Sequence, residues 1–365
     1  MAEVILSVPA DLASVGARWE ALQERADASF FQSWAWVGCL AIERFPAPWL
    51  LEAREQGETV ALALFNRRPG NRLWLGESGD PAMDAPYVEF NGPLFLAGRS
   101  EKLWPVCLDA CLRQGGWRRR VMMSGRVMLS GIDDALADGA GEAPAVLRAR
   151  APSRTAPRVE FSALPAGGYL DGLGANTRYQ LRRSSRRYAA AGPLAIRRAK
   201  TLDEALGFLD ALAVLHQATW TGRGRPGAFA DPWFRRFHRE LLGRAFPRGE
   251  IDLLRIAAGE RVIGYLYNFR HRGRVSAYQS GFDYAVAHPH EKPGMTCHHL
   301  AIELAAREGA TAYDFLAGED RYKTSMANAA TRLHWVEATR RTSLRARLEG
   351  LKALLRRVRL RPSEV

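Results

Sequence analysis

Three strand-like runs follow one another between residues 251 and 282, and they constrain the fold more than any other stretch. IDLLRIAA, RVIGYLYNF and RVSAYQSGF are separated only by Gly259–Glu260 and by Arg272–Gly273. Turns that tight join neighbours antiparallel, so the three form a meander. A polar loop, YAVAHPHEKPGM, comes next, then the helical pattern TCHHLAIELAAREG and the strand ATAYDFLAG. The predicted class is α+β, a mixed and mostly antiparallel sheet flanked by helices.

Upstream of the meander the second half opens with a short strand at Val159–Ser162. A basic helix, NTRYQLRRSSRRYAAAG, follows, with Asn176 or Thr177 as N-cap and Gly192 as its stop. The strand PLAIRRA leads to a strongly amphipathic helix capped by Thr201, with Glu204 three residues on. DPWFRRFHRELLGRAF is a further helix. The first half has the same order more loosely: helices over Asp11–Ala26 and Gln32–Phe45, a hairpin through Gly57, and short strands RLWLGES and YVEFNGPLF. Next come a helix from Ser100 to Gly115–Gly116, despite Pro105, and strand material in RRRVMMSGRVML. Residues 131–158 are rich in Gly, Ala, Pro and charge and read as a linker or surface connection. The expected domains are 1–150, 151–338 and a tail, 339–365.

The formal net charge of +13 invites a nucleic-acid partner, but its distribution weakens that reading. Of 52 basic residues only five are Lys, which points to compositional bias toward Arg. Residues 1–150 hold 16 basic and 19 acidic residues; 151–338 hold 27 and 18; 339–365 hold 9 and 2. In the tail, Leu344, Leu348, Leu351, Leu355 and Val358 recur at helical spacing among seven Arg or Lys. That is a basic amphipathic helix suited to an anionic membrane surface through residues 340–361, or to docking on the protein's own core. Four Cys make no disulfide framework and fit a reducing cytoplasm. The opening residues lack a basic region ahead of an apolar core, so no signal peptide is expected, and no apolar run reaches membrane-spanning length.

Chemistry concentrates after the meander. A Gly at a helix entrance lets an anion approach the first free amides and the positive helix end. Here the stretch runs Glu291–Lys292–Pro293–Gly294–Met295–Thr296, with Lys292 as an added cation. No Ser-His-Asp or Cys-His signature is present. His288, His290, Cys297, His298 and His299 fall close together but match no metal-ligand spacing, so no metal is expected. Trp220 and Arg223, in the Gly-rich loop HQATWTGRGRPGAF, suit a substrate lid.

These segments resemble the GNAT superfamily, whose pyrophosphate loop reads Gln/Arg-x-x-Gly-x-Gly/Ala; Glu291-x-x-Gly294-x-Thr296 departs from it at both ends. The chain is similar in particular to the GNAT-like group of the cellulose-biosynthesis CelD-type proteins, related to the Fem peptidyltransferases. The likeness rests on Arg178–Arg187 with Gly192, on Gly281–Phe282–Asp283 with Pro293–Gly294, on YDFLAGEDRYK and on FFQSWAW. It implies tandem GNAT-like halves, with the acyl donor bound mainly by the second. The implied activity is N-acyl transfer, most simply of acetyl, from acetyl-CoA or another acyl-CoA to a small-molecule, glycan or peptide amine, in envelope, exopolysaccharide or secondary metabolism. Under it, Lys292, Gly294, Met295 and Thr296 hold the donor. Asp283 is the expected base, Tyr322 the acid for the leaving thiolate, and Lys323 the oxyanion or carboxylate partner. Tyr278, Gln279, Trp220, Arg223 and Arg182 contact substrate, and Asp314 is read as the buried partner of an Arg. A Fem-like transferase using aminoacyl-tRNA and a non-catalytic GNAT-fold binding protein are the alternatives.

Overall fold

The computed structural model describes residues 2–80, 83–84, 88–114, 125–318 and 320–342. The chain divides into two compact units, one of Met1–Ser153 with Leu333–Val365 and the other of Arg154–Arg332. The first unit contains β1 (Glu3–Ser7), α1 (Leu12–Gln23), α2 (Trp34–Arg44), β2 (Pro48–Glu55), β3 (Glu58–Arg68), β4 (Arg72–Leu75) and β5 (Leu94–Phe95). It continues with α3 (Ser100–Leu112), β6 (Arg126–Asp133), α4 (Asp134–Glu142), the start of β7 (Ala145–Glu160) and most of β13 (Ala329–Arg340). Short polar side chains start the helices: Asp11 Oδ1 accepts from Ser14 N at 2.6 Å, and Ser33 Oγ accepts from Trp36 N at 3.3 Å. Such caps contribute about 1 kcal/mol each. The strands lie in the order β1-β2-β3-β4-β6-β13, with β5 on β3. β4 and β6 run parallel, since the chain between them passes through α3. That helix buries Leu103, Trp104, Cys107, Leu108, Cys111 and Leu112 against the sheet.

The second unit contains the end of β7, then α5 (Ala175–Ala189), β8 (Leu194–Arg198), α6 (Leu202–Gly222) and α7 (Pro232–Ala245). The meander is β9 (Ile251–Ala258), β10 (Arg261–His271) and β11 (Arg274–Phe282), followed by α8 (Pro293–Arg307), β12 (Ala312–Asp314) and α9 (Arg321–Met326). Its strand order is β7-β12-β11-β10-β9-β8. α5 and α8 close one apolar core, in which Leu181, Tyr188, Cys297, Ile302 and Ala305 meet Leu254, Ile256, Leu266 and Val275. α7 meets an aromatic cluster of Phe234, Phe237 and His238 with Tyr267 and Tyr278. Burial holds the His238 ring neutral, its pKa lowered to about 3. With α5 and the two-residue β5 set aside, residues 3–160 and 194–340 repeat one order: strand, two helices, meander, helix, parallel strand, short helix, long strand.

Several expectations change. Residues 131–158 are no linker. They finish β6 and form α4 and most of β7, with Asp133 Oδ1 capping α4 at Leu136 N (2.9 Å). The stretch 87–95 yields only the two-residue strand Leu94–Phe95. Gly174, not Asn176 or Thr177, stands at the N-cap of α5, with no side-chain cap. The second unit ends at Arg332 and the chain then returns to the first, whereas 338 was the expected limit. The basic helix read over 340–361 falls almost wholly outside the described residues. No helix among those described is long and apolar enough to cross a membrane.

Candidate functional site

β12 accompanies β11 for only three residues. Arg274, Val275 and Ser276 pair in parallel with Ala312, Tyr313 and Asp314, and there β12 ends while β11 continues to Phe282. Asp314 stops it: its buried carboxylate accepts from Leu316 N at 2.8 Å through Oδ1 and faces Arg274 Nη1 at 3.3 Å through Oδ2. Leu316, at φ 59°, then turns the chain away. Beyond Ser276 the two strands part, and β11 is left with β10 as its strand partner.

A bulge sits at the parting. On β10, Tyr267 and Asn268 are consecutive, yet they face Gln279 and Ala277, so Tyr278 is the extra residue. An extra residue breaks the ladder and turns side chains to new directions. The Tyr278 ring enters the aromatic cluster, 4.7 Å from Phe269 and 5.2 Å from His238, while Gln279 is half-buried. Past the bulge, α6 packs directly on the strand: a Cβ on Gly281 would lie 2.4 Å from the Leu212 carbonyl oxygen. His216 of α6 fixes this contact. Its Nε2 accepts from Ala228 N at 3.3 Å, so Nδ1 carries the proton that it donates to the Ser280 carbonyl at 3.0 Å. Burial lowers the His216 pKa, in keeping with this neutral tautomer.

Two phenols lie beyond the parting. Tyr322 of α9 stacks on the His298 ring (5.7 Å, 23°) and meets Phe315 edge-on. His298 Nδ1 is 2.8 Å from the Tyr313 hydroxyl, and burial aided by the Lys323 charge lowers its pKa to about 3. Tyr284 packs its ring against Phe282, and its hydroxyl lies where it would be 3.3 Å from a Cβ on Gly294. Burial raises both Tyr322 and Tyr284; Asp320 pushes both further and Arg223 opposes. Tyr322, Tyr284, Asp320 and Arg223 therefore form one electrostatic group. The Arg223 guanidinium also lies 5.6 Å over Trp220, whose ring is 5.9 Å from His216.

At the head of α8 much of the hydrogen-bonding capacity is spent internally. Glu291 holds Arg261 through both oxygens (3.1 and 2.7 Å) and accepts from His288 N. Burial would raise the Glu291 pKa, but Arg261 and the His288 amide hold it below the usual range. Lys292 N donates to Ser184 Oγ at 2.9 Å, and that hydroxyl meets the buried Thr296 Oγ1 at 2.7 Å. Thr296 is thus an internal brace between α5 and α8. With Pro293 first in the helix, the amides of Gly294 and Met295 are the first-turn donors that lack a helical acceptor. The Lys292 side chain is exposed, and together with Arg183 and Arg187 it presses His290 below its usual pKa, after desolvation.

The structure couples Tyr322 and Arg223 electrostatically to Tyr284, whose hydroxyl stands at Gly294 in the head of α8. It sets Asp283 elsewhere: that carboxylate accepts from Ala285 N and Val286 N, closing a turn, and its charge is felt by Arg261 and Tyr188. Lys323 Nζ folds back on the carbonyls of Ala317 (3.1 Å) and Leu316 (3.4 Å). Arg182 lies on α5, 4.0 Å from Asp171. Asp320, Tyr284 and His298 were not singled out as site residues. Asp320 stands two residues before Tyr322 in the quoted YDFLAGEDRYK run, which was signal enough; the bulge has no sequence signature. Among the described residues no three His, Cys, Asp or Glu are grouped as metal ligands.

Residues 175–324 match a family model described as an acetyltransferase (GNAT) domain. Among solved structures the chain is similar to FemX, at 9% identity and TM-score 0.60, over 96% of this chain and 99% of that one. It is also similar to L-PGS from Bacillus licheniformis, at 13% identity and TM-score 0.56, over 93% and 96%. At such identities the likeness speaks for the fold alone. No curated protein matches the chain.

Proposed function

From the premise that residues 175–324 are an acetyltransferase (GNAT) domain in an acyl-CoA N-acyltransferase fold, we propose that the protein transfers an acyl group, most simply acetyl, from acyl-CoA to an amine. The observation that carries this reading is the parting of β11 from β12 beside a pair of protonated phenols. An extended amide-bearing arm fits between the strands, pairing with the backbone edge of β11 as a strand would. A phosphate at the outer end meets the amides of Gly294 and Met295 and the Lys292 cation.

The chemistry needs no covalent enzyme intermediate. The amine nitrogen attacks the thioester carbon, and a backbone N–H at the bulged edge of β11 stabilises the oxyanion. As the C–N bond forms and the C–S bond breaks, nitrogen releases a proton and sulfur gains one. Asp320, an exposed carboxylate beside both phenols, takes the first proton through water, in place of Asp283, which is committed to its turn. Tyr322 supplies the second. Burial raises its pKa and keeps the phenol protonated at neutral pH, as a donor must be. Lys323 holds the 316–317 turn that carries the site, and Trp220 with Arg223 covers it.

Calorimetric titration with acetyl-CoA and longer acyl-CoAs tests the donor. Micromolar binding that weakens in Lys292→Ala supports the proposal. Silence toward every acyl-CoA, with binding of aminoacyl-tRNA, overturns it in favour of a Fem-like donor; silence toward both leaves a non-catalytic binding protein.

A further inference from the structure

Helix α5 has no counterpart in the first unit, and the proposed acyl transfer makes no use of its outer surface. Arg178, Arg182 and Arg186 recur there every fourth residue and so share one side, each about 6 Å along the helix from the next. They line a cavity of about 560 Å³ with the exposed Tyr179, Leu170 and His299. That volume suits a small molecule, and the wall is mainly apolar with three guanidinium groups along one side.

The charges facing it are unbalanced. Arg178 Nη1 reaches the carbonyls of Leu170, Asp171 and Leu173 at 3.3–3.5 Å, which anchors that end of the wall. Among the described residues Arg182 has only the distant, exposed Asp171 carboxylate at 4.0 Å. Arg186 makes no ion pair among the described residues. His299 adds a second, independent sign of a ligand. It is 93% buried, its ring is stacked on Tyr169 (6.0 Å, 27°), and its Nε2 lies 3.1 Å from Glu303 Oε1. Neither ring nitrogen has a hydrogen-bond partner among the described residues, and a neutral imidazole keeps one of the two as an acceptor. A buried acceptor left without a donor is costly. A ligand hydroxyl would satisfy it.

We propose that this groove binds a diphosphate ester bearing a hydroxylated group. One phosphate sits on each of Arg182 and Arg186, whose forked donors suit phosphate oxygens. A hydroxyl of the ester donates to the acceptor nitrogen of His299, and Tyr179 with Leu170 covers the remaining apolar surface. This binding site does not rest on the acyl-transfer reading.

The test is calorimetry of the whole chain with inorganic pyrophosphate and with a nucleoside diphosphate. Both bind wild type, the ester more tightly, and each of Arg182→Ala and Arg186→Ala weakens both by about tenfold or more. Both side chains are exposed, so these variants fold, and acyl-CoA binding in them stays as in wild type. His299→Phe keeps the ring stack but reduces the preference for the ester over pyrophosphate. Absence of binding, or binding that survives both Arg variants and falls only in Lys292→Ala, places the phosphate at the head of α8 and overturns the groove. Binding at Arg182 and Arg186 in a protein that ignores every acyl-CoA keeps the groove and removes the donor reading.

Discussion

Replacing Tyr322 with Phe separates chemistry from packing at the proposed site. The ring stacks on His298 at 5.7 Å and 23° and meets Phe315 at 6.3 Å and 88°. Phe preserves both contacts, so melting should move by no more than the equivalent of about 0.5 kcal/mol. The lost group is the proton donor to the leaving thiolate. General acid catalysis contributes about 10²–10⁴ in rate, or roughly 3–5 kcal/mol of barrier. Turnover of acyl-CoA by Tyr322→Phe should fall by that factor while donor affinity by calorimetry stays constant. Because burial raises the phenol above the neutral range, the defect should be uniform from pH 6 to 9. An aryl thioester, whose thiolate leaves unaided, should recover most of the loss. Turnover within about threefold of wild type, or an equal defect with the aryl donor, would refute the assignment of Tyr322 as acid.

Two further predictions concern stability. Gly281→Ala drives a Cβ to 2.4 Å from the Leu212 carbonyl, so α6 must move and the protein should lose about 1–3 kcal/mol. Gly243→Ala, in α7 with open space around it, should gain about 0.5–1 kcal/mol; equal melting temperatures for the two variants would contradict this packing account. Glu308, hydrogen-bonded to Arg198 and also bound by Arg270, has its pKa lowered to about 2. A depressed carboxyl stabilises above its unfolded pKa near 4.5, and the gain is lost as pH falls through about 2. Glu308→Gln should remove that portion of the acid sensitivity, no more than about 1 kcal/mol for so exposed a group. Thermal melts of wild type and variant that decline in parallel from pH 5 to 2 would argue against it.

Local chemistry was legible where one residue acts on its near neighbours. Ser100 and Thr201 bound their helices as read, and Thr201 Oγ1 accepts from Glu204 N at 3.2 Å. The meander followed from its turns, and Asp314 is a buried partner of Arg274 as expected. Residues 145–158 read as a connection because of their Arg, Ala and Pro content, whereas their strand character comes from partners distant in sequence, such as Arg158 opposite Asp314. The bulge at Tyr278 depends likewise on the register against Tyr267 and Asn268. Cys297, His298 and His299, consecutive on one helix, must point three ways; they enter the apolar core, the Tyr322 stack and the Tyr169 stack. What such a reading could not supply was the destination of each.

The closing strands carry a consequence for handling the gene. β7 ends as the neighbour of β12, and β13 ends as the neighbour of β6. A ribosome therefore finishes every strand bordering β12 before it has made the one that borders β6. The first unit waits, with a bare hydrogen-bonding edge, until the last strand emerges, and during synthesis that edge is open to other chains. Expressing the chain as two pieces cut near residue 150 would make this exposure permanent. Residues 154–332 carry the second unit whole.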